Sequence, residues 1–167
     1  WTKEAGALAL AGRIDGMVSA PLNKEAMHEA GYPYEGQTEI LGELTASRPA
    51  MVMVVDRMRL MLFTNHMALR AVCEYITTER MLERIVLADA ALRDMGIANP
   101  KIAVSGLNPH AGENGMFGRE EVDHIVPAIA AARAKGIDVL GPYPADTVFL
   151  RSRDGVYDMT IALYHDQ

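Results

Sequence analysis

The chain has 167 residues, 50% of them hydrophobic and 23% charged, with a formal net charge of -6. That balance suits one ordinary globular domain that buries most of its apolar surface, and its mild acidity excludes the electrostatic footprint that nucleic acid or an anionic membrane requires. One cysteine, Cys73, excludes an internal disulfide and fits a reducing cytoplasm, and no apolar run reaches the ~20 residues that span a bilayer.

Residues 2–12, "TKEAGALALAG", predict a helix that stops at Gly12. "RIDGMVSAP" then reads as a short buried strand ending at Pro21. "NKEAMHEAG" predicts a helix capped by Asn23 and closed by Gly31, "YPYEG" a turn, and "QTEILGELTAS" a second helix, which Gly42 weakens. "AMVMVVD" and "MRLMLFT" are apolar runs joined by a charged turn, and so a pair of strands. A helix follows near "ALRAVCEYI". Thr77 or Thr78 opens a long one through Met95, with Glu79 and Glu83 placed to suit its dipole. "KIAVSG" is a buried strand, "REEVDHIVPAIAAARAKG" a helix that Pro127 kinks, and "IDVLGP" and "MTIALY" are the last strands. Alternating strands and helices predict an α/β layered fold with a mixed, mostly parallel sheet. Trp1 is no natural initiator and "MTIALYHDQ" stops at a strand end, so an internal piece of a longer chain is expected.

Functional groups in such sheets gather beyond the carboxyl ends of the strands. Three of the five histidines stand there: His66 after "MLFTN", His110 after "IAVSGLNP" and His165 after "IALY". Three imidazoles at one edge suit a borderline divalent ion such as zinc. The ordinary alternative is a hydrogen-bonded loop histidine in each case. His28 and His124 fall within helices among charged neighbours and read as surface residues.

Lys24 in "PLNKEA" sits at a strand-to-helix junction that suits a phosphate or carboxylate, or is simply a solvated lysine. Gln37 and Thr38 begin a helix, where they contact a substrate or merely cap. "GPYPADT" is a proline-rich turn presenting Asp146 as a base or ligand, or as the cap of the next turn. No dinucleotide glycine fingerprint, P-loop or H-E-x-x-H motif is present. Cys73 lacks a nearby base, which argues against a thiol nucleophile.

Taken together, "APLNKEA", "GQTEILGELT", "TNHMALR", "GLNPHAGENGMFGREE", "PADT" and "LYHDQ" resemble, in order, the motifs of the 4-hydroxythreonine-4-phosphate dehydrogenases of pyridoxal phosphate biosynthesis and their relatives acting on threonate or erythronate 4-phosphate. The resemblance covers essentially the whole chain. It implies a three-layer α/β/α fold like that of isocitrate and isopropylmalate dehydrogenases, with residues 1–167 as the central part of a two-domain enzyme whose flanking parts are absent. It further implies a cytoplasmic homodimer in which His66, His110 and His165, drawn from both chains, hold zinc, magnesium or cobalt. By the same resemblance, NAD or NADP oxidises 4-phosphohydroxy-L-threonine, and the β-keto acid decarboxylates to 3-amino-2-oxopropyl phosphate. D-threonate or D-erythronate 4-phosphate is the alternative substrate, and a non-catalytic metal- or metabolite-binding domain the rival of another class. Lys24 and Asp146 are the expected catalytic residues, Gln37 and Thr38 the substrate contacts, and no cofactor-binding residue is assigned. The family's usual Gly-His-Thr-Glu is Gly-Gln-Thr-Glu here, and Gln37 cannot carry a positive charge.

Overall fold

Residues 1–34 and 36–167 are described by the computed structural model. Composition alone suggests one domain, whereas the chain divides into two units, Trp1–Pro49 and Ala50–Gln167.

The first unit holds α1 (Thr2–Leu10), α2 (Lys24–Glu29) and α3 (Gln37–Thr45). Helices α1 and α3 pack together at Gly6, where a Cβ would stand 3.1 Å from Leu41 Cδ2. The side chain of Asn23 accepts the Ala26 N–H at 2.9 Å, the expected cap of α2. Gly42 does not break α3: a Cβ there would lie 2.8 Å from Pro49 Cδ, so the glycine permits a close approach and outweighs its poor helix propensity. The strand expected over "RIDGMVSAP" does not form. Val18 is fully exposed, and the described residues of this unit include no strand with which the segment could pair. The turn expected over "YPYEG" includes Glu35, which lies outside the described residues.

The second unit is built on β1 (Val52–Val55), β2 (Met58–Leu62), β3 (Lys101–Ser105), β4 (Asp138–Tyr143) and β5 (Met159–Ala162), in the order β1-β2-β5-β3-β4. The hairpin β1–β2 is antiparallel, as its short connection demands, and every other pairing is parallel. Four helices accompany the sheet: α4 (Leu69–Tyr75), α5 (Thr78–Asp94), α6 (Val126–Ala134) and α7 (Ala145–Arg153). Thr77 caps α5 by accepting the Arg80 N–H, and Met81, Ile85, Ala88 and Leu92 form its buried stripe. Full burial of Met81, Ile85 and Leu92 contributes roughly 1.5–3 kcal/mol each.

Side chains alternate across the sheet. Ile102, Val104, Met159 and Ile161 join the core residues of α4, α5 and α6, whereas Ala103 packs with Val148 and Tyr157 on the other face. There the Ser152 hydroxyl of α7 meets the Thr160 hydroxyl of β5 in a buried pair. The result is the expected α/β/α layering with a mixed, mostly parallel sheet. The sequence reading misses α7, because Gly141, Pro142 and Pro144 just before it have the composition of a turn. The kink expected at Pro127 takes the form of a π-helical turn, Glu121–Ile125, immediately ahead of α6. Among the described residues no helix is long and apolar enough to cross a membrane.

Candidate active site

Strands β2, β5, β3 and β4 are adjacent and parallel, so their carboxyl ends share one edge. The segments beyond them carry His66, His165, His110 and Asp146 respectively. His66 and His165 are brought together, with ring centroids 5.5 Å apart and planes inclined by 33°. Two hydrogen bonds extend the β2–β5 ladder past the strand ends and hold these loops side by side. The Phe63 N–H donates to Ala162 O at 2.8 Å, and the buried Thr64 hydroxyl donates to Leu163 O at 2.8 Å.

His165 Nδ1 lies 2.7 Å from Asp166 Oδ1, and His110 Nδ1 lies 3.2 Å from Glu113 Oε2. A carboxylate on one ring nitrogen fixes the tautomer and leaves the other nitrogen for a ligand, an arrangement that suits imidazoles bound to a metal. Beside His66, the buried Oδ1 of Asn65 has no hydrogen-bond partner, leaving one acceptor at this edge unsatisfied. The His66–His165 pair supplies two of the ligands that a zinc-like ion takes. Among the described residues, however, no group of three or more His, Cys, Asp or Glu side chains stands close enough to hold a metal. The chain pairs His66 with His165 and leaves His110 outside that pair.

The His110 loop has an unusual backbone. His110, Ala111, Gly112, Glu113 and Asn114 have φ of 55°, 54°, 79°, 42° and 55°, a left-handed run of five residues. Each non-glycine residue in this region costs roughly 1–2 kcal/mol, so neighbouring groups must hold the loop in place. Glu121, 1% exposed, bonds to the two residues that lead into it. Its Oε1 accepts the N–H groups of Leu107 and Asn108 at 2.8 Å each, and its Oε2 accepts Asn108 Nδ2 at 2.8 Å. Two glycines give the loop room: a Cβ on Gly106 would stand 2.7 Å from Ala111 Cα, and one on Gly112 would stand 2.7 Å from Glu121 Oε2. Gln167 ties the loop to β5, donating from Nε2 to Gly106 O and accepting the Leu163 N–H, both at 2.6 Å.

His110, Asp146, Tyr164 and Gln167 line an open cavity of about 410 Å³. Asp146 is exposed in the first turn of α7 and does not cap it. Pro144 holds the cap position, and no side-chain cap bond forms. In the first unit, Lys24 is exposed at the start of α2; since the strand before it does not form, it stands at a loop-to-helix junction. Gln37 is the first residue of α3 and does not cap it either. Its Nε2 donates to Ala20 O at 2.9 Å, and its Oε1 accepts from Thr2 Oγ1 at 3.3 Å. Thr38 is half-buried beside it. The two histidines set aside as surface residues differ: His28 is exposed, with Nε2 2.9 Å from Tyr34 O, and His124 is half-buried in the π turn. Cys73 is exposed on α4.

Sequence reasoning overlooks Glu121, Asn108 and Gln167. A signal for Glu121 exists: it lies in helical phase with the buried Ile125, Ala128, Ile129 and Ala132, and an acid on an apolar stripe needs donors facing it.

A family model described as pyridoxal phosphate biosynthetic protein PdxA matches residues 1–167. The chain is 49% identical over 166 residues to D-threonate 4-phosphate dehydrogenase of Pectobacterium atrosepticum, covering 99% of this chain and 51% of the relative. It is also 49% identical, over 161 residues, to 4-hydroxythreonine-4-phosphate dehydrogenase of Beijerinckia indica, covering 96% of this chain and 48% of that protein. The crystal structure of 4-hydroxythreonine-4-phosphate dehydrogenase from Klebsiella pneumoniae superposes with a TM-score of 0.93 at 47% identity, over 99% of this chain and 50% of that one. The chain thus spans about half the length of the curated relatives it matches. Matched from end to end, it belongs to the PdxA family.

Proposed function

We propose that the protein is a divalent-metal-dependent dehydrogenase that uses NAD or NADP to oxidise a phosphorylated four-carbon hydroxy acid. The observation that carries this reading is the His66–His165 pair at the carboxyl edge of the sheet, in a chain whose relatives near 50% identity are named as dehydrogenases of such acids. Hydride leaves the carbon bearing the secondary alcohol for the nicotinamide, and the hydroxyl proton goes to a base. The resulting β-keto acid then loses carbon dioxide, and the carbon that bore it gains a proton. An ion held by His66, His165 and His110 would supply Lewis-acid polarisation at the oxygen on which negative charge gathers in both steps. His110 stands outside the pair within one chain, so a homodimer that supplies it from the second subunit completes the set. Met116 and Phe117, 74% and 49% exposed on the same loop, suit such a contact.

Asp146, beside His110 in the cavity, is assigned proton transfer, and Lys24 contact with an anionic group of the substrate. Gln37 and Thr38 are assigned neutral hydrogen bonds to it. D-threonate 4-phosphate is placed ahead of 4-phosphohydroxy-L-threonine, because that name recurs among the relatives at 44–51% identity. A neutral Gln37 is indifferent to whether the substrate carries a hydroxyl or an ammonium next to the carboxylate. The test is reduction of NAD or NADP by the full chain with each acid in turn, before and after treatment with a chelator. Turnover that the chelator abolishes supports the reading. Metal binding with no turnover on either acid would favour a non-catalytic metabolite-binding protein.

A further inference from the structure

We infer that Glu121 is the positioning residue of the His110 loop: its carboxylate, rather than the loop's own hydrogen bonding, sets where the imidazole is held. The zinc readout below rests on the reading of His110 as a metal ligand, and the exchange readout does not. Four observations support it. Glu121 is 1% exposed and lies on the buried face of its helix, so its carboxylate has no alternative partner in solvent. It accepts three hydrogen bonds, all from Leu107 and Asn108, the residues that lead into Pro109 and His110. The backbone after them is left-handed for five residues, a conformation that four of those side chains resist. Gly106 and Gly112 lack side chains at the points where a Cβ would crowd Ala111 and the carboxylate itself. Two backbone donors and one amide donor converging on one buried acid define a single position for the loop. Glu120 reinforces it by accepting Asn108 Nδ2 at 2.7 Å.

Glu121→Gln tests the inference at constant size. An amide offers one acceptor oxygen where the site presents three donors. With that oxygen toward Leu107 and Asn108, its NH₂ meets the Asn108 amide donor to donor. Adding Asn108→Asp converts the clash into an amide-to-carboxylate hydrogen bond, and Glu120→Gln removes the repulsion this would otherwise create. The triple variant therefore rebuilds the link with its polarity reversed. Zinc affinity, metal-free melting temperature and hydrogen exchange at the Leu107 and Asn108 amides are measured on the full chain. His110→Ala and Ser152→Ala serve as references, the latter disturbing the opposite face of the sheet.

Glu121→Gln is expected to weaken zinc binding about 10–100-fold, the usual effect of losing an outer support of a metal ligand. It should also speed exchange at the two amides, and the triple variant should recover both. Ser152→Ala should lower the melting temperature and leave zinc affinity unchanged. If His110→Ala loses zinc while Glu121→Gln binds like wild type, the positioning role is overturned and the metal reading stands. If His110→Ala binds zinc like wild type, the metal reading fails, and exchange alone decides: wild-type rates in Glu121→Gln overturn the positioning role, and faster rates restored in the triple variant uphold it.

Discussion

Gly112→Ala probes the close packing of the His110 loop on the Glu121 carboxylate. Gly112 has φ +79°, where a Cβ costs roughly 1–2 kcal/mol. The new methyl would stand 2.7 Å from Glu121 Oε2, 3.2 Å from its Cδ and 3.3 Å from Gly118 O. The carboxylate cannot swing aside without giving up its three donors, so overpacking adds about 1–3 kcal/mol. A stiffer unfolded chain returns about 0.4–1 kcal/mol, leaving a net loss of roughly 2–4 kcal/mol. At about 2–4 °C per kcal/mol for a chain of this size, the melting temperature should fall by roughly 5–15 °C. Gly96→Ala is the control: it has φ +88° but nothing within 4 Å of the new Cβ. It should cost about 1 kcal/mol, from backbone conformation alone. Calorimetry on the two variants isolates the packing contribution. If they melt within about 2 °C of each other, Gly112 does not pack on a held carboxylate and the account of the loop is wrong.

Ser152→Ala strands the Thr160 hydroxyl in the interior and should cost about 1–3 kcal/mol in urea unfolding. Ser152→Ala with Thr160→Val should recover much of that loss, and a purely additive double variant would contradict the pairing. Burial, reinforced by the Tyr143 hydroxyl, holds the Tyr157 phenol above its ordinary 10.0. The folded chain therefore keeps this proton while the unfolded chain releases it. The contribution of this proton to stability should be level below about pH 10 and fall away above it, and Tyr157→Phe should lessen the alkaline slope in pH-dependent melting. His66→Ala and His165→Ala should each weaken zinc binding by at least tenfold in isothermal titration with less than about 1 kcal/mol lost in stability, since both side chains are exposed. Wild-type affinity in either variant would remove that histidine from the ligand set.

Most of the sheet was legible because Leu60–Leu62 and Ile102–Val104 are apolar and Met159–Leu163 is interrupted only by Thr160, the pattern of a strand buried on both faces. The cap at Thr77 and the Met81–Leu92 stripe made α5 equally plain. What failed depended on partners distant in sequence. "RIDGMVSAP" has strand composition, but composition supplies no neighbouring edge. Helix α7 was hidden because Gly141, Pro142 and Pro144 have the composition of a turn, whereas Gly141 and Pro142 lie within β4 and only Pro144 separates that strand from the helix. The three histidines could be placed beyond the strand ends because each follows a strand closely. That His110 stands apart from the other two was not legible, because the left-handed turn that places it depends on Glu121, eleven positions later. A pair of acids at a helix start reads as dipole complement, and only helical phase distinguishes the one that faces inward.

The Gln167 side chain carries one more consequence. Parallel strands part company beyond their last rung, and the loops past that point ordinarily fluctuate independently. Here one amide takes the Leu163 N–H on one side and gives a hydrogen to Gly106 O on the other, bridging the gap where β5 and β3 separate. Two soft motions become a single stiffer one, and a push on the segment before His165 is felt at the entrance to the His110 loop. An amide that joins the two loops during folding leaves less of their freedom for any later ligand to remove.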